Sequence, residues 1–148
     1  MKDRNIMEKI SQFQDEFRFL SNFYDSPIMH EGIAYPTVEH FYQAQKVTDI
    51  SFRKFFARMK TAGEVKKAGR TCELRKDWEN VKDEAMWTGL KLKFAPGSVF
   101  AEMLLATENL PLEEGNNWGD VYWGICRGKG KNKLGKMLMK LRDELKSV

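Results

Sequence analysis

At 148 residues, with 42% hydrophobic content, ten Phe and four Trp, the chain can bury a core of its own as one domain spanning 1–148, and no second domain is required. Its longest apolar runs are a few residues, and the opening stretch MKDRNIMEKISQFQDEF is charged throughout; this excludes a spanning helix and a secretory h-region there, and the expectation is a soluble, cytoplasmic protein with no membrane partner. The 21 acidic residues are mixed among 25 basic ones for a formal charge of +4, which excludes histone-like coating of a polynucleotide and favours a locally basic site for a phosphate-bearing ligand.

Residues 1–12 read as an edge or poorly ordered segment. The stretch FRFLSNFYDSPIMHEGIAYP, broken by Asn22, Pro27 and Gly32, predicts short strands and a hairpin turning near His30-Glu31-Gly32. Thr37 is placed as the N-cap of a helix running to about Val47. Ser51 starts a second helix in which Phe52, Phe55, Phe56 and Met59 fall at i, i+3, i+4 and i+7, a stripe read as core. Thr61-Ala62-Gly63-Glu64 matches a capping box ahead of the basic VKKAGR, and Asp77 is the expected cap of a longer helix through Met86 and Leu90 to Phe94, ended by Pro96-Gly97. Ser98 then caps VFAEMLLAT. After the polar EEGNN comes the Trp- and Gly-rich WGDVYWGICRGKGKN, and a final helix carries Leu134, Met137, Leu138, Leu141 and Leu145 on one face. The fold class is α+β, predominantly α-helical, with a small β-sheet near the N-terminus.

Two cysteines far apart, Cys72 and Cys126, and two histidines do not supply a zinc site of the usual type, so both thiols are read as reduced and structural. Polar chemistry concentrates elsewhere. On a helix with a 100° step, Glu39, Gln43 and Lys46 fall within about 60° of one another, beside the apolar stripe Val38, Phe41 and Tyr42. They form either a solvated flank with weak neighbour interactions or the wall of a cleft. The macrodipole at the helix start favours the carboxylate form of Glu39, so burial would have to oppose it before Glu39 could act as an acid. Desolvation of Lys46 would free a neutral amine able to attack a carbonyl.

A second dense stretch sets Asp120 between Trp118 and Trp123, ahead of a glycine- and lysine-rich loop leading into a helix. Such a loop either receives a phosphate on backbone N–H groups and positive charge or is a structural loop with core tryptophans. GKNKLGK satisfies G-x-x-x-x-G-K, but Met137 stands where a Ser or Thr must hold magnesium, which excludes a nucleotide triphosphatase. In KKAGRTCELRKDW, a solvated face accounts for most of Lys66, Lys67, Arg70, Arg75 and Lys76, while Trp78 is either core or a stacking surface.

Taken in order, FLSNFY (19–24), YPTVEHFYQAQK (35–46), AGR with LRKDW (68–78), KLKF (91–94), MLLAT (103–107), WGDVYWGI (118–125) and GKNKLGKMLMKLR (130–142) resemble the YbiA-like, or NADAR, family of N-glycosidases. The resemblance runs from about Phe13 to Leu145. It departs from the family pattern where Cys126 follows WGI in place of a G-x-G. The resemblance implies hydrolysis of an N-glycosidic bond in nucleotide-derived molecules: phosphoribosylamino intermediates of riboflavin biosynthesis, or ADP-ribose attached to guanine in nucleic acid. It maps the family's motif glutamate to Glu39, its lysine to Lys46, its DW tryptophan to Trp78 and its aspartate to Asp120.

Cleaving a ribose C1–N bond needs a proton for the departing nitrogen and relief of positive charge at C1. Glu39 is assigned as general acid/base, Asp120 as stabiliser of the cationic sugar or activator of water, and Trp78 as the surface on which base or sugar packs. In the alternative route Lys46 captures C1 of the opened sugar as an imine. Arg70, Lys131 and Lys133 are candidates for the phosphate, Ser21, Asn22, Gln43 and Asn132 for orienting hydroxyls, and Trp118 and Trp123 complete the substrate-binding set. The carboxylates of Glu39 and Asp120 are expected to serve one sugar. No metal or organic cofactor is required. The expected partner is a small phosphorylated nucleotide-like substrate, with ADP-ribosylated DNA as the second candidate; a non-catalytic ADP-ribose or nucleotide binder of the same fold is the alternative to an enzyme.

Overall fold

The computed structural model describes residues 6–148, so the first five residues of the expected edge segment lie outside the described residues. Packing divides the chain into two units, one of Asn22–Ala95 and one that joins the segment ending at Ser21 to Pro96–Val148.

In the Asn22–Ala95 unit, strands β1 (Ile28–His30) and β2 (Ile33–Tyr35) pair antiparallel with Ile28 opposite Tyr35 and His30 opposite Ile33. Glu31 and Gly32 at the turn have φ of 50° and 79°. Positive φ at both central residues is the type I′ geometry whose twist matches a hairpin, and glycine adopts it without steric cost. Helix α1 (Val38–Ala44) starts where Thr37 Oγ1 accepts the His40 N–H, and it stops short of the expected Val47. All seven of its residues are buried, because α2, α3, α4 and β2 all pack against it.

Helix α2 (Ile50–Ala57) is capped by Asp49, whose carboxylate accepts the Phe52 N–H. Its aromatic stripe is not the core line expected from spacing: Phe56 is 2% exposed, but Phe52 is 51% and Phe55 57% exposed. The helix is rotated so that Arg53 and Phe56 form its buried line. Arg53 fixes that rotation, donating from Nε to the Val47 carbonyl at 2.9 Å and reaching Glu31 at 3.5 Å.

Helix α3 (Ala62–Thr71) opens as expected on Thr61, whose hydroxyl accepts the Glu64 N–H. Helix α4 (Trp78–Lys93) begins after Asp77, but Asp77 does not cap it. Its two carboxylate oxygens are bound by the Arg75 guanidinium at 2.6 and 3.2 Å, a bidentate pairing that takes the side chain away from the helix amides. Near the end of α4, Lys93 is 3% exposed, with its ammonium 5.0 Å from the Phe94 ring centre and 5.9 Å from that of Tyr24.

In the other unit, Ile10 bridges Leu112 in parallel, and both side chains are buried. The FRFL segment forms a 3-10 helix, Asp15–Leu20, where strand was expected; burial falls on the neighbours Phe19 and Leu20, not on alternate residues. Helix α5 (Val99–Leu105) is capped by Ser98 Oγ, which accepts the Ala101 N–H. Strands β3 (Gly115–Asn116) and β4 (Ile125–Cys126) make a short parallel ladder that no alternating pattern announces. Helix α6 (Lys133–Lys146) buries Leu134, Leu138, Leu141 and Leu145 on the face expected from the sequence. Among the described residues no helix is long and apolar enough to cross a membrane.

Candidate active site

The polar line of α1 lies inside the protein, which overturns its reading as a solvated flank. Glu39 is 7% and Gln43 4% exposed. They are bonded to each other, Gln43 Nε2 donating to Glu39 Oε2 at 2.7 Å. One turn further on, the half-buried Lys46 donates from Nζ to the Gly69 carbonyl at 3.2 Å. Burial is the main cause that lowers the Lys46 amine below its ordinary value of 10.5; Arg70 and Lys66 act in the same direction, while Cys72 and Glu39 oppose it. The amine and the Glu39 carboxylate therefore sense each other's charge.

Gly69 explains how α3 comes so close. A Cβ at this position would overlap the Gln43 amide and lie 3.3 Å from Lys46 Nζ, so only glycine admits both side chains. The same Gly69 carbonyl receives the Cys72 thiol at 3.6 Å. Asn22 completes the cluster: its carbonyl accepts the Glu39 N–H at 3.0 Å and its Nδ2 donates to Met86 Sδ at 3.3 Å. Two acceptors, Asn22 Oδ1 and Gln43 Oε1, are buried without a hydrogen-bond partner. Leaving a buried acceptor without a donor costs about 1–3 kcal/mol.

Trp78 is 5% exposed, its ring 5.3 Å from that of Tyr42 and 6.0 Å from Lys46 Nζ. It walls the amine with apolar surface. Arg70 is exposed in the last turn of α3. Arg75 serves the backbone, its N–H donating to the Lys46 carbonyl at 2.8 Å. His40 is neutral and structural: burial lowers its pKa, Nε2 donates to the Met59 carbonyl at 2.9 Å, and Nδ1 accepts from the Thr37 hydroxyl at 2.8 Å. Sequence reasoning missed Gly69 and Cys72, although the glycine lies inside the AGR segment that the resemblance singles out.

In the other unit, Asp120 Oδ1 accepts the N–H groups of Tyr122 and Trp123 at 3.1 and 2.9 Å. Asn116, also missed, clamps this turn by accepting the Asp120 N–H at 3.0 Å and donating to the Asp120 carbonyl at 2.9 Å. Trp118 is 55% exposed, while Trp123 is half-buried and edge-on to Tyr122 at 4.9 Å. Lys133 Nζ donates to the Tyr122 hydroxyl at 3.1 Å, and Lys131 Nζ lies 5.3 Å from the same ring centre.

The expectation that backbone amides at the start of α6 receive a phosphate is corrected. The N–H groups of Lys131, Asn132, Lys133 and Leu134 already donate to the carbonyls of Val121, Gly124, Tyr122 and Trp123; positive charge here comes from side chains. Asn132 braces the loop, its Oδ1 accepting the Glu114 N–H at 3.0 Å and its Nδ2 donating to the Leu112 carbonyl at 2.9 Å. Ser21 ends the 3-10 helix, its N–H donating to the Arg18 carbonyl. The structure thus gathers Asn22, Glu39, Gln43, Lys46 and Trp78 in one unit, and Asp120, Trp123, Lys131 and Lys133 in the other. Among the described residues no group of three or more His, Cys, Asp or Glu could hold a metal ion.

Comparison with known proteins places this arrangement. N-glycosidase YbiA of Escherichia coli (strain K12) is 40% identical over 134 residues, covering 88% of this chain and 83% of that protein. A riboflavin biosynthesis protein of Vibrio vulnificus is 35% identical over 147 residues, covering 95% of this chain and 40% of that longer protein. The NMR structure of the E. coli protein YbiA superposes with a TM-score of 0.83 at 37% identity, covering 97% of this chain and 88% of that one. The NADAR domain family matches residues 8–146, and the chain belongs to that family.

Proposed function

We propose that this chain hydrolyses the C1–N bond of a phosphorylated, nucleotide-derived substrate, with Glu39 and Lys46 as the reacting pair. The reaction class, hydrolysis of an N-glycosyl bond, is that of the N-glycosidases to which the chain is 40% identical over most of its length. The observation that carries the assignment of residues is the buried Glu39–Gln43 pair on the same helix side as an amine whose basicity burial has reduced.

Glu39 exchanges the proton with the glycosidic nitrogen. As the C1–N bond breaks, positive charge spreads over C1 and the ring oxygen, and a second carboxylate or an activated water is needed to relieve it. In the imine route the sugar ring opens, neutral Lys46 forms a C=N bond to C1, the substrate amine departs with a proton, and water then hydrolyses the imine to return the aldehyde sugar and the free amine. The lowered pKa of Lys46 fixes the sign of its pH dependence. The reactive neutral fraction grows as pH rises and reaches one half at a pH below 10.5, so a rate limited by imine formation climbs with pH through that point.

The favoured substrate is a phosphoribosylamino-pyrimidine of the riboflavin route, a reading supported by the name of the Vibrio vulnificus relative; ADP-ribose on guanine is the second. Each substrate is incubated with the protein and the products are read by mass spectrometry, with and without borohydride. Release of ribose 5-phosphate supports the first, and release of ADP-ribose the second. A borohydride-stable adduct on Lys46 assigns the imine route, its absence during turnover assigns direct hydrolysis, and no product from either substrate contradicts the proposal.

A further inference from the structure

Gln43 stands between the two groups assigned to the reaction, four residues after Glu39 and three before Lys46, and it is 4% exposed. Its Nε2 donates to Glu39 Oε2 at 2.7 Å, while its Oε1 has no hydrogen-bond partner among the described residues. That oxygen is turned towards Gly69: a Cβ there would overlap Gln43 Oε1 and lie 3.3 Å from Lys46 Nζ. One end of the amide therefore holds the carboxylate, and the other looks onto the space beside the amine. Lys46 Nζ meanwhile donates to the Gly69 carbonyl at 3.2 Å.

An amide has a donor at one end and an acceptor at the other, and turning it about its last side-chain bond exchanges the two. With Nε2 facing Glu39 and Oε1 facing Lys46, it matches a carboxylate and an ammonium. Turned over, it matches a carboxylic acid, whose O–H donates to Oε1, and a neutral amine, whose lone pair accepts from Nε2. If both groups hold a proton, or neither does, one end of the amide faces a group it cannot bond. One shared proton is thus favoured over two or none, which couples the two titrations. We propose that Gln43 is the positioning residue that couples Glu39 to Lys46, its amide turning as one proton passes between them so that acid and nucleophile are armed together. The inference rests on the reading of Glu39 and Lys46 as the reacting pair. In the arming step one N–H bond of the Lys46 ammonium breaks and one O–H bond forms on Glu39. Once the acid has protonated the departing nitrogen and the amine has become an iminium, a carboxylate and a cation face the amide again, and it returns to the orientation seen here. The other ionisable groups that act on Lys46, namely Cys72, Arg70 and Lys66, are left in place by substitution at Gln43. Neither Trp78 against Lys46 nor Asn22 against Glu39 titrates.

The test combines two measurements on Gln43→Met and Gln43→Glu, both close to glutamine in size. A brief pulse of acetic anhydride acylates the unprotonated amine, and the pH midpoint for Lys46 is read by mass spectrometry with no substrate present. Gln43→Met removes the acceptor that faces the ammonium and the donor that keeps Glu39 ionised, so it should move the midpoint down. A second carboxylate favours the ammonium, so Gln43→Glu should move the midpoint up by about one pH unit or more. A merely structural role would not give shifts of opposite sign. Single-turnover cleavage should fall about tenfold or more in both variants, because neither side chain serves the carboxylate and the iminium together, while substrate affinity stays close to that of the unsubstituted chain. Melting curves establish which variants are folded, and if one is not, the sign of the other's shift decides. Midpoints that stay where they were, or that move the same way, overturn the proposal, as does full-rate cleavage by Gln43→Met. An unsubstituted chain that cleaves neither substrate would refute the hydrolase reading alone, since the Lys46 midpoints still decide the coupling.

Discussion

Helices α1 and α2 follow one another in the chain and carry opposite messages. Helix α1 buries a glutamate, a histidine and a glutamine, while α2 exposes two of its three phenylalanines. By hydrophobic spacing alone the assignments would be reversed, with the aromatic stripe inside and the polar line in water. The difference lies in the neighbours: α1 is enclosed by α2, α3, α4 and the hairpin, so each of its polar groups must be hydrogen-bonded or left as a deliberate orphan. Helix α2 meets the rest of its unit along one narrow line, Arg53 and Phe56. Polar groups held in a packed interior are costly to keep, and that is where chemistry is sited.

The sharpest contrast is expected within α2 itself. Phe56→Ala should destabilise by about 3–5 kcal/mol in urea unfolding, the usual loss for a buried aromatic. A loss below about 1 kcal/mol would show that α2 is not anchored where the structure places it.

The next effect is pH-dependent and lies at the far end of α4. Burial pushes the Lys93 amine down to about 7 from 10.5. Below that folded value the buried lysine is charged in both states and its penalty is complete. As pH rises from 7 towards 10.5 the unfolded chain holds the proton that the folded chain has released, so stability rises with pH in this window. Lys93→Met should therefore stabilise by about 1–4 kcal/mol at pH 6, and the gain should shrink at pH 9; a gain independent of pH would contradict the account.

Gly69→Ala probes the enclosure of α1. Its new methyl group would collide with the Gln43 amide, costing about 1–3 kcal/mol and disturbing the hydrogen bond to Glu39, so turnover should fall more than stability does. An unchanged turnover would show that the Gln43–Glu39 bond is dispensable. Smallest of all, Phe52→Ala should leave stability within about 0.5 kcal/mol; a loss like that expected for Phe56 would mean that the ring is covered.

Local signals were legible where one residue decides the geometry. The caps at Thr37, Thr61 and Ser98 and the Glu31-Gly32 turn act through the nearest backbone, and each stands where its residue type indicates. Spacing also placed Glu39, Gln43 and Lys46 on one side of a helix. What it could not convey was whether that side faces water, because the answer rests with Gly69, more than twenty residues away, and with the absence of a side chain there. Asp77 shows the same limit: it has the residue type that a cap position calls for, but an arginine two residues before it claims its carboxylate first.

The account turns on Glu39, and the direct measurement is the single-turnover rate of Glu39→Gln on the phosphoribosylamine substrate, with folding verified by its melting curve. The amide keeps the shape and a hydrogen bond to Gln43 but cannot exchange the proton, so the rate should drop by about 10²–10⁴-fold with Tm nearly unchanged. A variant that hydrolyses the substrate at the full rate would contradict the assignment of this residue.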